Sequence, residues 1–223
     1  MGWHTQNAKV GTGHAGTRGW TGYSWNRKLI PEPEKLIKDF KDDHIYVVLN
    51  EHPHDGIRPH EDSYQAFVRD LGVDTQQTGV PLFDAGDHDY MNAFMKHAHQ
   101  ESDSMGNHLR GAGFSRWAGW GDHRHPIQFS GDAVGNWDLL RFEVDLTTTS
   151  GNAGCFFWAH DLGGFYDGTD PELYTRWTQF GLLNSSLRIH SVYDEKLDRR
   201  PWLWGVEAEK AMHRIYHLRS QLM

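Results

Sequence analysis

Residues 127–132, IQFSGD, and 155–161, CFFWAHD, follow one plan: a short apolar run of strand-forming residues that ends abruptly in polar groups. The plan recurs at 47–55 (VVLNEHPHD), 113–117 (GFSRW) and 186–191 (SLRIHS). Such runs are too short for helices. Their near-continuous apolar character fits strands buried on both faces of a parallel sheet. Parallel strands all end on one face, so the polar tips, among them Arg116, Asp132, Asp161 and His190, are expected to converge there.

Helix signals separate these runs and place the chain in the α/β class. Pro33 opens a helix that carries Leu36, Ile37 and Phe40. Tyr64, Phe67, Val68 and Leu71 fall at i, i+3, i+4 and i+7, with Gly72 in place as a C-terminal cap. Asp87 caps a helix over 88–100 with a stripe of Met91, Phe94, Met95 and Ala98, and Asp170-Pro171-Glu172 opens one bearing Leu173, Tyr174, Trp177 and Phe180. A helix follows Asp132 in GNWDLLRFEV, and the last runs from about Glu207 with Met212, Ile215, Tyr216 and Leu222 on one side. Strands are expected at 45–49, 111–115, 127–131, 155–159 and 182–189, with a weaker sixth at 80–84.

Composition bounds the class. The 223 residues are 38% hydrophobic and 13% aromatic with ten Trp, enough to form a core. A mean hydropathy of −0.70 and the lack of an apolar run near ~18 residues exclude a membrane-spanning helix. The start, MGWHTQNAKV, has neither the basic nor the apolar part of a signal peptide. One cysteine, Cys155, cannot form an internal disulfide, so a cytoplasmic location is expected. The formal charge is −8. Sixteen histidines would add about eight positive charges near their ordinary pKa. With no basic cluster beyond Arg199–Arg200, neither a nucleic-acid nor a membrane partner is expected.

Asp132 ends one strand and precedes a helix, with Trp137 one turn on. A carboxyl desolvated beside aromatics keeps its proton near neutrality, as a general acid must. The plainer alternative is a helix cap. Arg116 and His190 have ion-pair and core alternatives, and Asp161 either bonds sugar hydroxyls or satisfies loop amides. A rival constellation is His52, His54, Asp55 and His60, with His123 and His125 as a second His-x-His pair, the kind of start a metal site needs. Pro53 and Pro59 turn that stretch, and no partner at diagnostic spacing completes it. No metal and no cofactor are therefore expected, which leaves a metal-dependent hydrolase as the third-ranked reading.

FSRWAGWGDHRHPIQFSGDAVGNW (114–137) resembles the acid/base segment of glycoside hydrolase family 31, and CFFWAHDLGGFYDGTDPELYTRWTQFGLLNSSLRIHS (155–191) resembles the segment that follows it. Upstream, GWTGYSWNRKLIPEPEKLI (19–37) and residues 47–74 resemble the same family, especially its α-glucosidase and α-xylosidase-like members. The resemblance implies a (β/α)8 TIM-barrel that hydrolyses α-glycosidic bonds of a carbohydrate substrate with retention. It further implies Asp132 as general acid/base, Arg116, Asp161 and His190 around the sugar, and Phe129 and Phe165 as the apolar wall against a pyranose. Trp3 and His4 resemble the tip of an early barrel strand.

The departures carry equal weight. Retention needs a second carboxylate as nucleophile, which in the family lies on a strand of the type apolar-Trp-apolar-Asp. Here helix 88–100 leads through ESDSMGNHLR straight into GAGFS. Asp84, Asp87 and Asp103 are nearest, but none follows an apolar strand, so none is assigned as nucleophile. Residues 1–223 are thus expected to form a single partial barrel domain, incomplete at the N-terminus and internally, with open strand edges that favour self-association. The alternative function is a non-catalytic carbohydrate-binding relic.

Overall fold

The computed structural model describes residues 24–49, 52, 56–78, 80–104, 114–116 and 127–222. The backbone groups into two units, Met1–Asn107 and His108–Met223.

The first unit is helical among its described residues. It contains α1 (Pro33–Asp42), α2 (Tyr64–Leu71), the single turn α3 (Thr75–Thr78) and α4 (His88–Ser104). Proline stands at the start of α1, and Gly72 ends α2 in the left-handed conformation, φ 72°. Asp87 caps α4, its Oδ1 accepting from the Asp89 and Tyr90 amides at 2.9 and 3.1 Å. The helix runs on to Ser104, past the expected end at 100. Ile57, Tyr64, Phe67, Tyr90 and Ala93 make the core.

The buried face of α4 differs from the expected stripe: Tyr90, Ala93 and His97 are inside, whereas Met91 and Phe94 are only partly covered. Both rings meet Phe67 edge-on, Tyr90 at 5.2 Å and His97 at 5.9 Å between centroids. His97 Nε2 also lies 3.1 Å from Asp70 Oδ2, so this ring turns inward with a polar partner as well as an apolar one. The side chain of Ala98 lies outside the described residues.

The strand expected at 45–49 does not form. Those residues are irregular, with Ile45, Tyr46 and Val48 exposed to 51%, 72% and 83%. A strand exists only if its amides and carbonyls find a ladder, and among the described residues none runs beside this segment. Residues 81–84 are likewise irregular, although Val80 and Phe83 pack on the core.

The second unit carries the sheet. Its elements are β1 (Phe114–Ser115), β2 (Ile127–Phe129), β3 (Val134–Gly135), α5 (Trp137–Ser150), β4 (Phe157–Ala159), β5 (Tyr166–Asp167), α6 (Pro171–Gly181) and α7 (Val206–Leu222). β1, β2 and β4 pair in parallel in that order, with Phe114 opposite Ile127 and Ile127 opposite Phe157. β3 and β5 form a separate two-stranded parallel pair, Val134 opposite Tyr166. The strand expected over 182–189 is reduced to one parallel bridge, Asp161 with Arg188. Arg219 of α7 explains the loss: it donates to the carbonyls of Leu182, Asn184 and Ser185 at 2.7, 2.7 and 3.0 Å, which holds this stretch as a turn.

Asn136 caps α5, its Oδ1 accepting from the Leu139 amide at 2.8 Å, and Asp170 caps α6 the same way with Glu172, at 2.9 Å. Leu140, Leu162, Leu173, Tyr174, Trp177, Trp204, Ala208 and Met212 form the core. Leu222, expected on the inner side of α7, is 63% exposed because it sits in the last turn. The succession β2–α5–β4–α6 is the repeating unit of a (β/α) barrel, of which the described strands make a part.

Candidate active site

Parallel pairing puts the C-terminal ends of β1, β2 and β4 on one edge of the sheet, and the residues just past those ends are Arg116, Ser130–Asp132 and His160–Asp161. The bridge at Arg188 adds Ile189 and His190 to the same edge.

Asp132 is free of the helix start, because Asn136 does the capping four residues later. Its side chain is 42% exposed and lies 3.7 Å from the Arg116 guanidinium. The desolvation expected for Asp132 is therefore not found: Trp137, the aromatic meant to cover it, is itself 44% exposed. Gly131, at φ 86°, lets the Arg116 stem pass close by; a Cβ there would sit 3.3 Å from Arg116 Cδ.

Asp161 is its opposite, with no exposed surface. Burial pushes its carboxyl up to about 7, only partly offset by Arg188, with the negative charges of Asp132 and Glu143 adding to the rise. Arg188 Nε stands 3.2 Å from Asp161 Oδ1, yet neither carboxylate oxygen accepts a hydrogen bond. The misaligned contact agrees with the upward direction, since an aligned guanidinium would hold the carboxylate ionised. The same Arg188 covers the Phe129 ring at 4.5 Å and the Phe114 ring at 5.1 Å, and those two rings stack at 4.9 Å.

His190 is half-buried with Phe165 at 5.3 Å between rings. Burial and then the positive charge of Arg188 hold its imidazole below the ordinary value, while Asp132 works the other way. The charge of Asp132 thus acts on Asp161, Arg188 and His190 alike, which makes these groups one electrostatic cluster. A hollow of 490 Å³ beside Ser130, Ala133, Asn136 and Phe142 does not include the cluster's carboxylates, so charge and strand topology identify the site, not shape.

Behind the tips a buried network fixes two strand ends. The Trp177 indole donates to Glu143 Oε2 at 2.8 Å, and His160 Nδ1 lies 3.0 Å from the same oxygen and 3.0 Å from Ser130 Oγ. His160 Nε2 meets Thr147 Oγ1 at 2.8 Å. Such a network ties α5 and α6 to the ends of β2 and β4 and specifies one arrangement of them.

The structure therefore brings together all six residues singled out beforehand, in the pairs Arg116–Asp132 and Phe165–His190 and through Arg188 for Asp161 and Phe129. Arg188 itself was missed; its alternation with His190 in SLRIHS was the available signal, since residues two apart share a strand face. Asp84 and Asp87 serve turns, accepting from the Gly86 amide at 2.8 Å and capping α4. Of the histidine-rich stretch, His52 and His60 are described; His54, Asp55, His123 and His125 lie outside the described residues, as do Pro53, Trp3, His4 and 105–113, and the side chain of Asp103.

Comparison with known proteins agrees with this geometry. The model of the glycosyl hydrolases family 31 TIM-barrel domain matches residues 85–223, which include every residue of the cluster. An α-xylosidase of Emericella nidulans is 29% identical over 159 residues, 65% of this chain and 20% of that protein. The chain thus spans a fifth of that relative. Among solved structures, a glucosidase II α subunit aligns over 60% of this chain and 15% of its own, with a TM-score of 0.52 and 25% identity. A cycloalternan-degrading enzyme from Trueperella pyogenes aligns over 86% of this chain and 37% of its own, with a TM-score of 0.61; at 17% identity it shows the fold alone. With its parallel strands, its converging polar tips and more than half its length matched, the chain belongs to the glycosyl hydrolases of family 31 and carries part of their TIM-barrel domain.

Proposed function

We propose that this chain provides the acid/base side of a retaining α-glycosidase site that hydrolyses the O-glycosyl bond of an α-glucoside or α-xyloside, with Asp132 as the general acid/base. The observation that carries the reading is the position of Asp132: past the end of β2, relieved of capping by Asn136, and 3.7 Å from Arg116. In this reading Asp132 gives its proton to the leaving oxygen and later takes one from water. Asp161 and His190 hold sugar hydroxyls, and Phe129 and Phe165 pack the ring's apolar face. The single thiol, buried at Cys155, supports a cytoplasmic setting, and the short β1 edge offers the route to self-association.

The test replaces the nucleophile from solution. An alkyl α-glucoside, whose poor leaving group requires an acid, is incubated with the full chain and azide. The C1–O bond breaks, a C1–N bond forms, and Asp132 protonates the departing alkoxide. Glucosyl azide is expected, and Asp132→Asn should slow its formation by roughly 10²–10⁴-fold. Turnover unaffected by Asp132→Asn would sink the assignment. Sugar binding without any turnover would favour the non-catalytic relic.

A further inference from the structure

Arg199 is only 4% exposed, and among the described residues no carboxylate pairs with it. Its guanidinium instead donates to four carbonyls: Gly168 through Nη1 at 2.9 Å, and Gly163, Gly164 and Asp167 through Nη2 at 2.9, 2.8 and 3.1 Å. All four belong to the turn that follows Asp161 and takes in the two-residue β5. Gly163, Gly164, Asp167 and Gly168 have φ of 84°, 91°, 55° and 71°, and this left-handed course aims so many carbonyls at one point. The guanidinium lies against the adjoining Tyr174 and Trp204 rings, at 5.2 and 4.9 Å from their centroids, which are 4.8 Å from each other. Burying a cation without a counter-charge is costly unless its hydrogens are bonded; Nη1 and Nη2 have acceptors, and Nε has none among the described residues. Four carbonyls exceed the three donors of an ammonium, whereas the planar guanidinium spreads its donors over two nitrogens.

The turn carries Phe165. The Phe165 and Tyr166 amides both donate to the Ala133 carbonyl, at 2.7 and 3.1 Å, and Ala133 is the neighbour of Asp132. The Val192 amide donates to the Phe165 carbonyl at 2.9 Å, which ties in the segment after His190. We infer that Arg199 is a positioning residue: it shapes the 163–168 turn and through it sets the Phe165 ring against His190 and anchors the chain beside Asp132.

This rests on the glycosidase reading only for what Phe165 and Asp132 do to a sugar; the placement is measured with no sugar present. Arg199→Lys and Arg199→Ala are made in the full chain and followed by NMR. Both variants are expected to lose the Phe165–His190 ring contact. In both, the His190 titration moves up toward the ordinary imidazole value, because the burial that holds it down is relieved. Millimolar guanidinium should restore contact and titration in Arg199→Ala, and ammonium should not. An arginine that merely supports the fold would lower the melting temperature and leave the His190 titration where it was, which overturns the proposal. Should the variants not fold, hydrogen exchange of the unaltered chain decides: Phe165, Tyr166 and Val192 amides are expected to open together, and independent opening overturns it. A failed azide reaction would leave these outcomes untouched.

Discussion

The two units bury different things. The first builds its core from Ile57, Tyr64, Phe67, Tyr90 and Ala93, held by edge-on ring contacts, and sets Ser24, Glu61 and His97 around it as its buried polar groups. The second mixes Trp177, Tyr174 and Met212 with Gln128, Glu143, His160, Asp161 and Arg199, all nearly or fully enclosed. An apolar interior tolerates many arrangements of similar volume. A polar one is fixed by each donor and acceptor that meets its partner, as at Glu143 Oε2 and His160, and is destabilised by each that does not, as at Asp161. The polar interior lies under the strand ends where the cluster sits, so specificity of position is concentrated where chemistry requires it.

That contrast is open to test. The largest effect is expected at Phe67→Ala, which removes a fully buried ring and should cost about 3–5 kcal/mol, read as lost exchange protection in α2 and α4. An equal loss in α6 would show that the two interiors melt as one, and the distinction would fall.

The next effect is a pH dependence confined to the second unit. Unfolded, Asp161 releases its proton near its ordinary value of 3.8; folded, it holds it to about 7. Between these limits the folded state binds the extra proton, so stability falls as pH rises and levels off above about 7, a change on the order of 4 kcal/mol. Asp161→Asn should flatten that slope. A variant much less stable than the parent at pH 8 would mean that the pairing of the ionised carboxylate with Arg188 outweighs its burial, and the slope would then have the opposite sign.

The smallest effect is at Asn136→Ala, expected to cost about 1 kcal/mol through loss of the α5 cap and to show as fraying of the first turn of α5. A comparable cost for Asp132→Ala would mean that Asp132 shares the capping.

The sequence discloses these layers unevenly. Helix starts were legible because Pro33, Asp87 and Asp170 act locally, through a fixed φ or a side chain bonding an amide two or three residues on. The polar tips Asp132, Asp161 and His190 were legible because each closes an apolar run. The segment 45–49 was not, since β-branched residues state a preference for a ladder without saying whether a neighbour is there. Arg199 entered the sequence reading only as the neighbour of Arg200 in a basic pair; its partners are carbonyls 31 to 36 residues away, which no local pattern announces. Arg188 had a local signal in its alternation with His190, but its ring contacts on β1 and β2 were beyond any local pattern.

Because Asn136 takes over the helix start, Asp132 carries no share of the folding free energy through capping, and its contact with Arg116 is long and half-exposed. The chemistry proposed for this position is thereby uncoupled from the architecture that presents it. Selection can alter the side chain here while keeping the scaffold, and an experimenter can do the same.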